Sequence, residues 1–244
     1  MVSLSSNSVN TLLRRNSSHR DPSRLEWPTT ASGANTKVSA ISDTGVVVAC
    51  KSLPATAFVG PDKHTRLYCI QHRKHRPLLP RLLLHKGPAK SSPVWATYKA
   101  TTLREAWVEI PCLSTGATSH GRVKVCRKRD GRKNKYVFTM TIGGREETFG
   151  WRRSKNVMIK DLGLSRNGYK LVRLTEGTHS FSSHDGPRTS DRMQVVALAA
   201  RSHLSYPRCM ALNYITSFGD EWEVVSLVTV LGFWLWDRKH MMKG

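Results

Sequence analysis

Six basic residues lie within nine positions near the middle of the chain: Arg127, Lys128, Arg129, Arg132, Lys133 and Lys135. Guanidinium and ammonium groups bind phosphate oxygens, arginine through two parallel hydrogen bonds and lysine as a compact point charge. The cluster therefore predicts an anion-binding site. A solvated hairpin end, whose charges are screened by salt, is the alternative that the sequence leaves open.

The charge of the whole chain also favours anionic partners. Lys and Arg number 39 against 17 acidic residues, a formal net charge of +22, and most of the excess falls in residues 55–135. Acidic phospholipid headgroups and nucleic acids both suit such a surface. Single-strand binders interleave stacking aromatics, whereas this segment offers few, mainly Tyr68, Trp95 and Tyr98. Charge therefore predicts an anionic partner and leaves both classes open, although the scarcity of aromatic residues counts against single-strand binding.

Residues that could support catalysis or hold a metal are sparse. The common nucleotide, metalloprotease and hydrolase signatures are absent from the sequence. Cys69, His72 and His75 have suggestive spacing, but they supply three ligands at most and the sequence marks no fourth. We therefore predict a protein that is not an enzyme, with no catalytic residue, no metal and no cofactor.

The cysteines and the first residues bear on location. The five cysteines are odd in number and include no CxxC pair, so they predict neither a disulfide framework nor a zinc ribbon. No apolar stretch of the kind found in secretory signals follows the first methionine. We expect a cytoplasmic protein, with peripheral membrane or nuclear positions left open.

The elements that would position the basic cluster are short strands. Residues 1–54 are rich in Ser and Arg, and we predict that they form a disordered tail ahead of a domain at 55–244. Within that domain, ten strand-like runs alternate with turn signals, which indicates a barrel or sandwich. The runs are 66–71, 81–86, 94–99, 106–110, 123–127, 136–142, 146–151, 169–174, 195–199 and 211–216.

Two hairpins in this region have a predictable register. Gly143 and Gly144 form a two-residue loop signal, so Phe138 should face Phe149, Tyr136 should face Trp151 and Thr139 should face Thr148. These are cross-strand pairs of the kind that stabilise sheets.

The second hairpin carries the basic cluster at its tip. With a loop at Asp130 and Gly131, Val125 should face Tyr136 and Val123 should face Phe138. The same register places Lys128 opposite Lys133 and Arg129 opposite Arg132. Like charges directly opposed are unfavourable, and a bound anion would relieve them.

The C-terminal segment predicts one helix at about residues 220–240, with acids at its start and bases at its end, as the helix dipole favours. Thirteen residues, 224–236, are almost entirely apolar and leave no polar face. They span about 20 Å, less than the roughly 30 Å of membrane hydrocarbon. We expect a helix buried in protein, with a tail anchor as the alternative.

Several of these segments resemble the tubby C-terminal-like superfamily, especially uncharacterised fungal members near the LURP-one-related proteins and phospholipid scramblases. The similarity is carried by YVFTMTIGGREETF (136–149), WRRS (151–154), GYKLVRL (168–174) and WEVV (222–225). It implies a mainly β protein, with a closed antiparallel β-barrel of about 10–12 strands around a buried C-terminal hydrophobic helix. Tubby proteins bind phosphoinositides through cations on the barrel surface, but no segment here aligns with that site residue by residue. The resemblance therefore implies an architecture more than an activity, and no site residue is transferred. Together with the basic cluster, it leads us to predict acidic phospholipid headgroups first, with a nucleic-acid-associated or nuclear protein and a scaffold without a small ligand as alternatives.

Overall fold

The computed structural model describes residues 46–52, 56–61, 64–74, 79–111, 121–130, 133–155, 157–162, 168–175, 187–201 and 208–241. Within these ranges the protein is mainly antiparallel β, with a long helix at its C-terminal end. The strands are β1 (Val46–Ser52), β2 (Thr56–Gly60), β3 (Tyr68–Lys74), β4 (Pro80–His85), β5 (Val94–Ala100), β6 (Glu105–Glu109), β7 (Arg122–Asp130), β8 (Lys133–Ile142), β9 (Arg145–Ser154), β10 (Gly168–Arg173), β11 (Val195–Arg201) and β12 (Arg208–Tyr214). The helices are α1 (Val157–Lys160) and α2 (Asp220–Met241).

Consecutive strands from β2 to β12 pair antiparallel with one another and form a continuous meander. Strand β1 pairs with β12 on one side and with β2 on the other. Because each connection reverses the chain, the turns alternate between two ends of the sheet. The odd-numbered strands all end at one end of the sheet, which we call the mouth, and the even-numbered strands end at the far end.

The predicted antiparallel β architecture with a C-terminal helix is confirmed, and all ten predicted strands overlap β3 to β12 in order. The predicted boundary of the tail at residue 54 is wrong, because Val46–Ser52 forms β1. Residues 1–45 lie outside the described part of the chain. The sequence of β1 is a short apolar run without alternation, and one of its two pairing partners, β12, is distant in the chain, so local pattern did not reveal it.

The register of β8 and β9 is the predicted one. Phe138 faces Phe149 and Thr139 faces Thr148, whose Oγ1 atoms lie 2.9 Å apart. Gly143 and Gly144 both have positive φ, at 58° and 78°, as a two-residue loop of the mirror-image type requires.

The predicted register of β7 and β8 is wrong by two residues. Val125 faces Phe138, Lys128 faces Lys135 and Arg129 faces Asn134. Asp130 and Lys133 are the last pair, so the two connecting residues are one position later than expected. A shift of two leaves each side chain on its expected face, because successive residues of a strand alternate between faces.

The prediction that the C-terminal segment is buried in protein is confirmed. Every residue of α2 from 222 to 235 is buried, including Val224, Leu227 and Leu231. The aromatic contacts come from several strands: Phe233 stacks on Tyr136 of β8 with ring centroids 4.2 Å apart and also meets rings from β9 and β10. The sheet thus supplies the apolar surroundings that a helix without a polar face requires.

Candidate anion-binding site

Strand alternation divides the predicted basic cluster between two faces of the sheet. Val123 and Val125 of β7 belong to the core around α2. Arg127 and Arg129 follow on the same inner face, whereas Lys128 lies on the outer face. The cluster is therefore not one site.

The two arginines of the inner face line an open cleft at the mouth. The cleft has a volume of about 540 Å³, and the residues around it are Leu103, Arg104, Arg127, Arg129 and Asn134. A narrower recess adjoins it and reaches Tyr98, Tyr136 and Phe233. Since Phe233 belongs to the C-terminal half of α2, the cleft lies at the end of the sheet toward which that helix runs.

The third arginine is held in place by the turn between β5 and β6. Thr102 Oγ1 accepts hydrogen bonds from the backbone N–H groups of Arg104 and Glu105, at 3.1 and 3.0 Å. The backbone N–H of Arg127 donates to the carbonyl oxygen of Arg104 at 2.6 Å. These bonds fix the backbone of Arg104 beside that of Arg127, so the two side chains start from neighbouring positions at the cleft.

The cleft is strongly positive. Among the described side chains, no carboxylate forms an ion pair with Arg104, Arg127 or Arg129, although other bases such as Lys124 and Arg173 do pair with glutamates. Three guanidinium groups around one opening repel one another, and an oxyanion would offset that repulsion. The arrangement is therefore suited to binding phosphate or carboxylate groups.

The outer face carries a second row of bases at one level across four strands. Lys128, Lys135, Arg152 and Lys170 are successive register partners. Arg152 already pairs with Asp191. Hydrogen bonds from Thr189 and then from Arg152 lower the pKa of Asp191 to about 2. Lys135 and Lys170 also have contacts of their own, so this row is partly satisfied within the protein and is the weaker candidate.

The six predicted site residues thus have three outcomes. Arg127 and Arg129 lie in the cleft, while Lys128 and Lys135 lie on the outer face. The backbone of Lys133 begins β8, but its side chain and the whole of Arg132 fall outside the described part of the chain.

Sequence reasoning missed Arg104, which is remote in sequence from the basic cluster. It reaches Arg127 because Glu105 of β6 pairs with Cys126 of β7. A single base next to a turn carries no local signal of that kind. Only a prediction of how β6 pairs with β7 could have found it.

The metal-like spacing at Cys69 does not produce a site in the described residues. Cys69 and His72 are three positions apart in β3 and lie on opposite faces, and His75 is outside the described ranges. Burial raises the pKa of the Cys69 thiol, which disfavours the thiolate that a metal would need. Within the described part of the chain, no group of three or more His, Cys, Asp or Glu residues could hold a metal.

Comparison of the chain with models of protein families, with curated proteins and with solved structures gave no match. In the residues that the structure describes, no helix has the length and apolar character needed to cross a membrane. The arginine cleft is the feature whose chemistry suggests a function.

Proposed function

We propose that the protein is a non-enzymatic binding module with the closed-barrel architecture of tubby-like proteins, and that it docks on acidic phospholipid headgroups. The cleft that binds them is formed by Arg104, Arg127 and Arg129. The observation that carries the proposal is that these three arginines line one opening and that no described carboxylate pairs with them. Arginine matches phosphate through two parallel hydrogen bonds, and it stays charged at any physiological pH.

The proposed kinship is supported by the position of the motif-bearing segments. Residues 136–149 and 168–174 lie mainly in β8, β9 and β10, and rings of those strands pack on α2. Pairing of β1 with both β12 and β2 supports a closed barrel around the helix. A helix apolar on all sides gains most from complete enclosure, because every exposed apolar face costs free energy in water.

The lining of the cleft favours lipid over nucleic acid. Its exposed residues include Leu103 and lack an aromatic ring among those described, while Tyr136 and Phe233 behind it are buried. Base stacking on exposed aromatic rings is a main source of affinity for single strands. Nucleic-acid binding is accordingly an outcome of the test below and is not proposed.

The test is co-sedimentation of the full chain with phosphatidylcholine vesicles, with and without phosphatidylserine or phosphatidylinositol bisphosphate, at physiological salt. The triple variant R104Q/R127Q/R129Q should bind anionic vesicles on the order of 100-fold more weakly, since each cation near an anionic leaflet contributes about 1 kcal/mol. Neither the unaltered protein nor the triple variant should bind vesicles of phosphatidylcholine alone.

A matched control removes the same charge from the far end. Lys86 and Lys90 are exposed on the turn after β4, and Arg145 is exposed at the start of β9. The variant K86Q/K90Q/R145Q should keep most of the affinity. Equal weakening by both variants would show that total charge, not the cleft, governs binding. Failure of the unaltered protein to bind anionic vesicles, with binding to single-stranded nucleic acid in the same buffer, would replace the proposal with its rival.

A further inference from the structure

Leu103 is the large apolar residue that the protein displays beside its arginine cleft. Its side chain is 56% exposed at the tip of the turn between β5 and β6. Single exposed leucines are ordinary on protein surfaces and need no explanation alone. This one lines the cleft together with Arg104, Arg127 and Arg129, on a turn whose backbone is fixed by hydrogen bonds. An exposed apolar side chain thus lies on an ordered turn beside three cations.

We propose that the protein docks with its mouth facing an anionic bilayer and that Leu103 inserts between the headgroups while the arginines bind their phosphates. This inference rests on the proposed function and adds a membrane-inserting residue and an orientation to it. Apolar groups of interfacial proteins enter the boundary between headgroups and acyl chains, directly beneath the phosphates that attract cations. The juxtaposition of one leucine with three guanidinium groups matches that layering.

The distribution of charge between the two ends favours the same orientation. At the mouth, Arg73, Arg153 and Lys155 are exposed in addition to the cleft residues. At the far end, the three bases of the control variant are accompanied by the exposed acids Glu146, Asp220 and Glu221. The field of an anionic leaflet attracts the first end and repels these acids, so electrostatics turns the mouth toward the membrane before contact.

Two substitutions of Leu103 test the insertion in the full chain. L103S should weaken binding to phosphatidylserine vesicles by about fivefold, because a partly inserted leucine loses its apolar transfer free energy. The salt dependence of binding should stay unchanged, since no charge is altered. L103W should bind more tightly, and its tryptophan emission should be quenched by lipids brominated on the acyl chain beyond the quenching seen in the unaltered protein.

Leu67 provides the matched control. It is 36% exposed and precedes β3 at the far end. L67S should leave affinity unchanged, and L67W should add no quenched emission.

The outcomes separate this inference from the function on which it rests. If L103S binds like the unaltered protein and L103W adds no quenching, insertion is wrong, while the effect of the triple arginine variant still stands. If the unaltered protein does not bind anionic vesicles, both the proposed function and the insertion of Leu103 are wrong. Thermal unfolding of each variant confirms that the change lies in binding and not in folding.

Discussion

The aromatic ring of Tyr98 lies directly against Gly232 of helix α2. A Cβ placed on Gly232 would come within 2.4 Å of the Cζ atom of Tyr98 and within 2.6 Å of both Cε atoms. Tyr98 is buried in β5, and burial raises the pKa of its phenol far above the ordinary value. The helix therefore passes this strand at a distance that only glycine allows.

Substitution of this glycine should destabilise the protein despite a better helix propensity. Alanine gains about 1 kcal/mol over glycine in a helix interior, but overpacking a filled core costs about 1–3 kcal/mol. With the flat face of a ring as the neighbour, we expect G232A to lower the free energy of unfolding by about 1 kcal/mol in urea denaturation. The destabilisation caused by G232A should be smaller in a Y98V background, because the ring that the added Cβ would meet is then absent. A stabilised G232A would contradict the contact.

Phe233 should be among the most sensitive positions of the core. Its ring lies 4.2 Å from that of Tyr136 and 4.7 Å from that of Tyr169, centroid to centroid, and it is fully buried. We expect F233A to lower the free energy of unfolding by about 3–5 kcal/mol, the range observed when a large aromatic side chain is removed from a core. V157A is the control, since Val157 is 69% exposed and should change stability by less than about 0.5 kcal/mol. Similar losses for both variants would mean that α2 is not enclosed.

The ion pair between Glu147 and Arg173 should make stability depend on pH. Hydrogen bonds from Arg173 are the main reason that the pKa of Glu147 lies below its ordinary value. A lowered folded pKa means that the pair stabilises the protein above the unfolded value of about 4.3, and that this contribution is lost as pH falls toward the folded pKa.

The corresponding variant is E147Q, compared with E146Q at the exposed neighbouring position. At neutral pH, the free energy of unfolding of E147Q should be about 2 kcal/mol lower than that of the unaltered protein, the size expected for losing a hydrogen bond to a charged group. The difference from the unaltered protein should narrow as pH falls from about 6 to about 3. Urea unfolding across that range measures it, and a difference independent of pH would argue that the carboxylate charge has no role.

Strand β1 should be needed for stability, contrary to the tail boundary drawn from sequence. It pairs with β12 and β2, so its removal would expose two strand edges that invite aggregation. A fragment of residues 46–244 should melt at a higher temperature than one of residues 55–244 and should stay monodisperse in size-exclusion chromatography. Equal melting temperatures would show that β1 contributes little.

Local patterns were sufficient for much of the fold. The paired glycines at 143 and 144 and the alternation on both sides predicted the register of β8 and β9, because a two-residue loop leaves one pairing. The almost entirely apolar segment at 224–236 predicted a buried helix, because such a segment is stable only within an apolar surrounding. The turn at Asp130 was misplaced by one residue because neighbouring polar residues carry similar turn signals.

The arginine cleft was decided by tertiary structure. The six clustered bases were evident from the sequence, but their division between faces depends on which face of β7 meets the core, and Arg104 joins Arg127 only through the pairing of β6 with β7. Sequence by itself determined strands β3 to β12, the buried helix and the excess of positive charge, since those follow from side chains close together in the chain. The convergence of three arginines beside one leucine came from contacts between residues far apart in sequence, which no local propensity encodes.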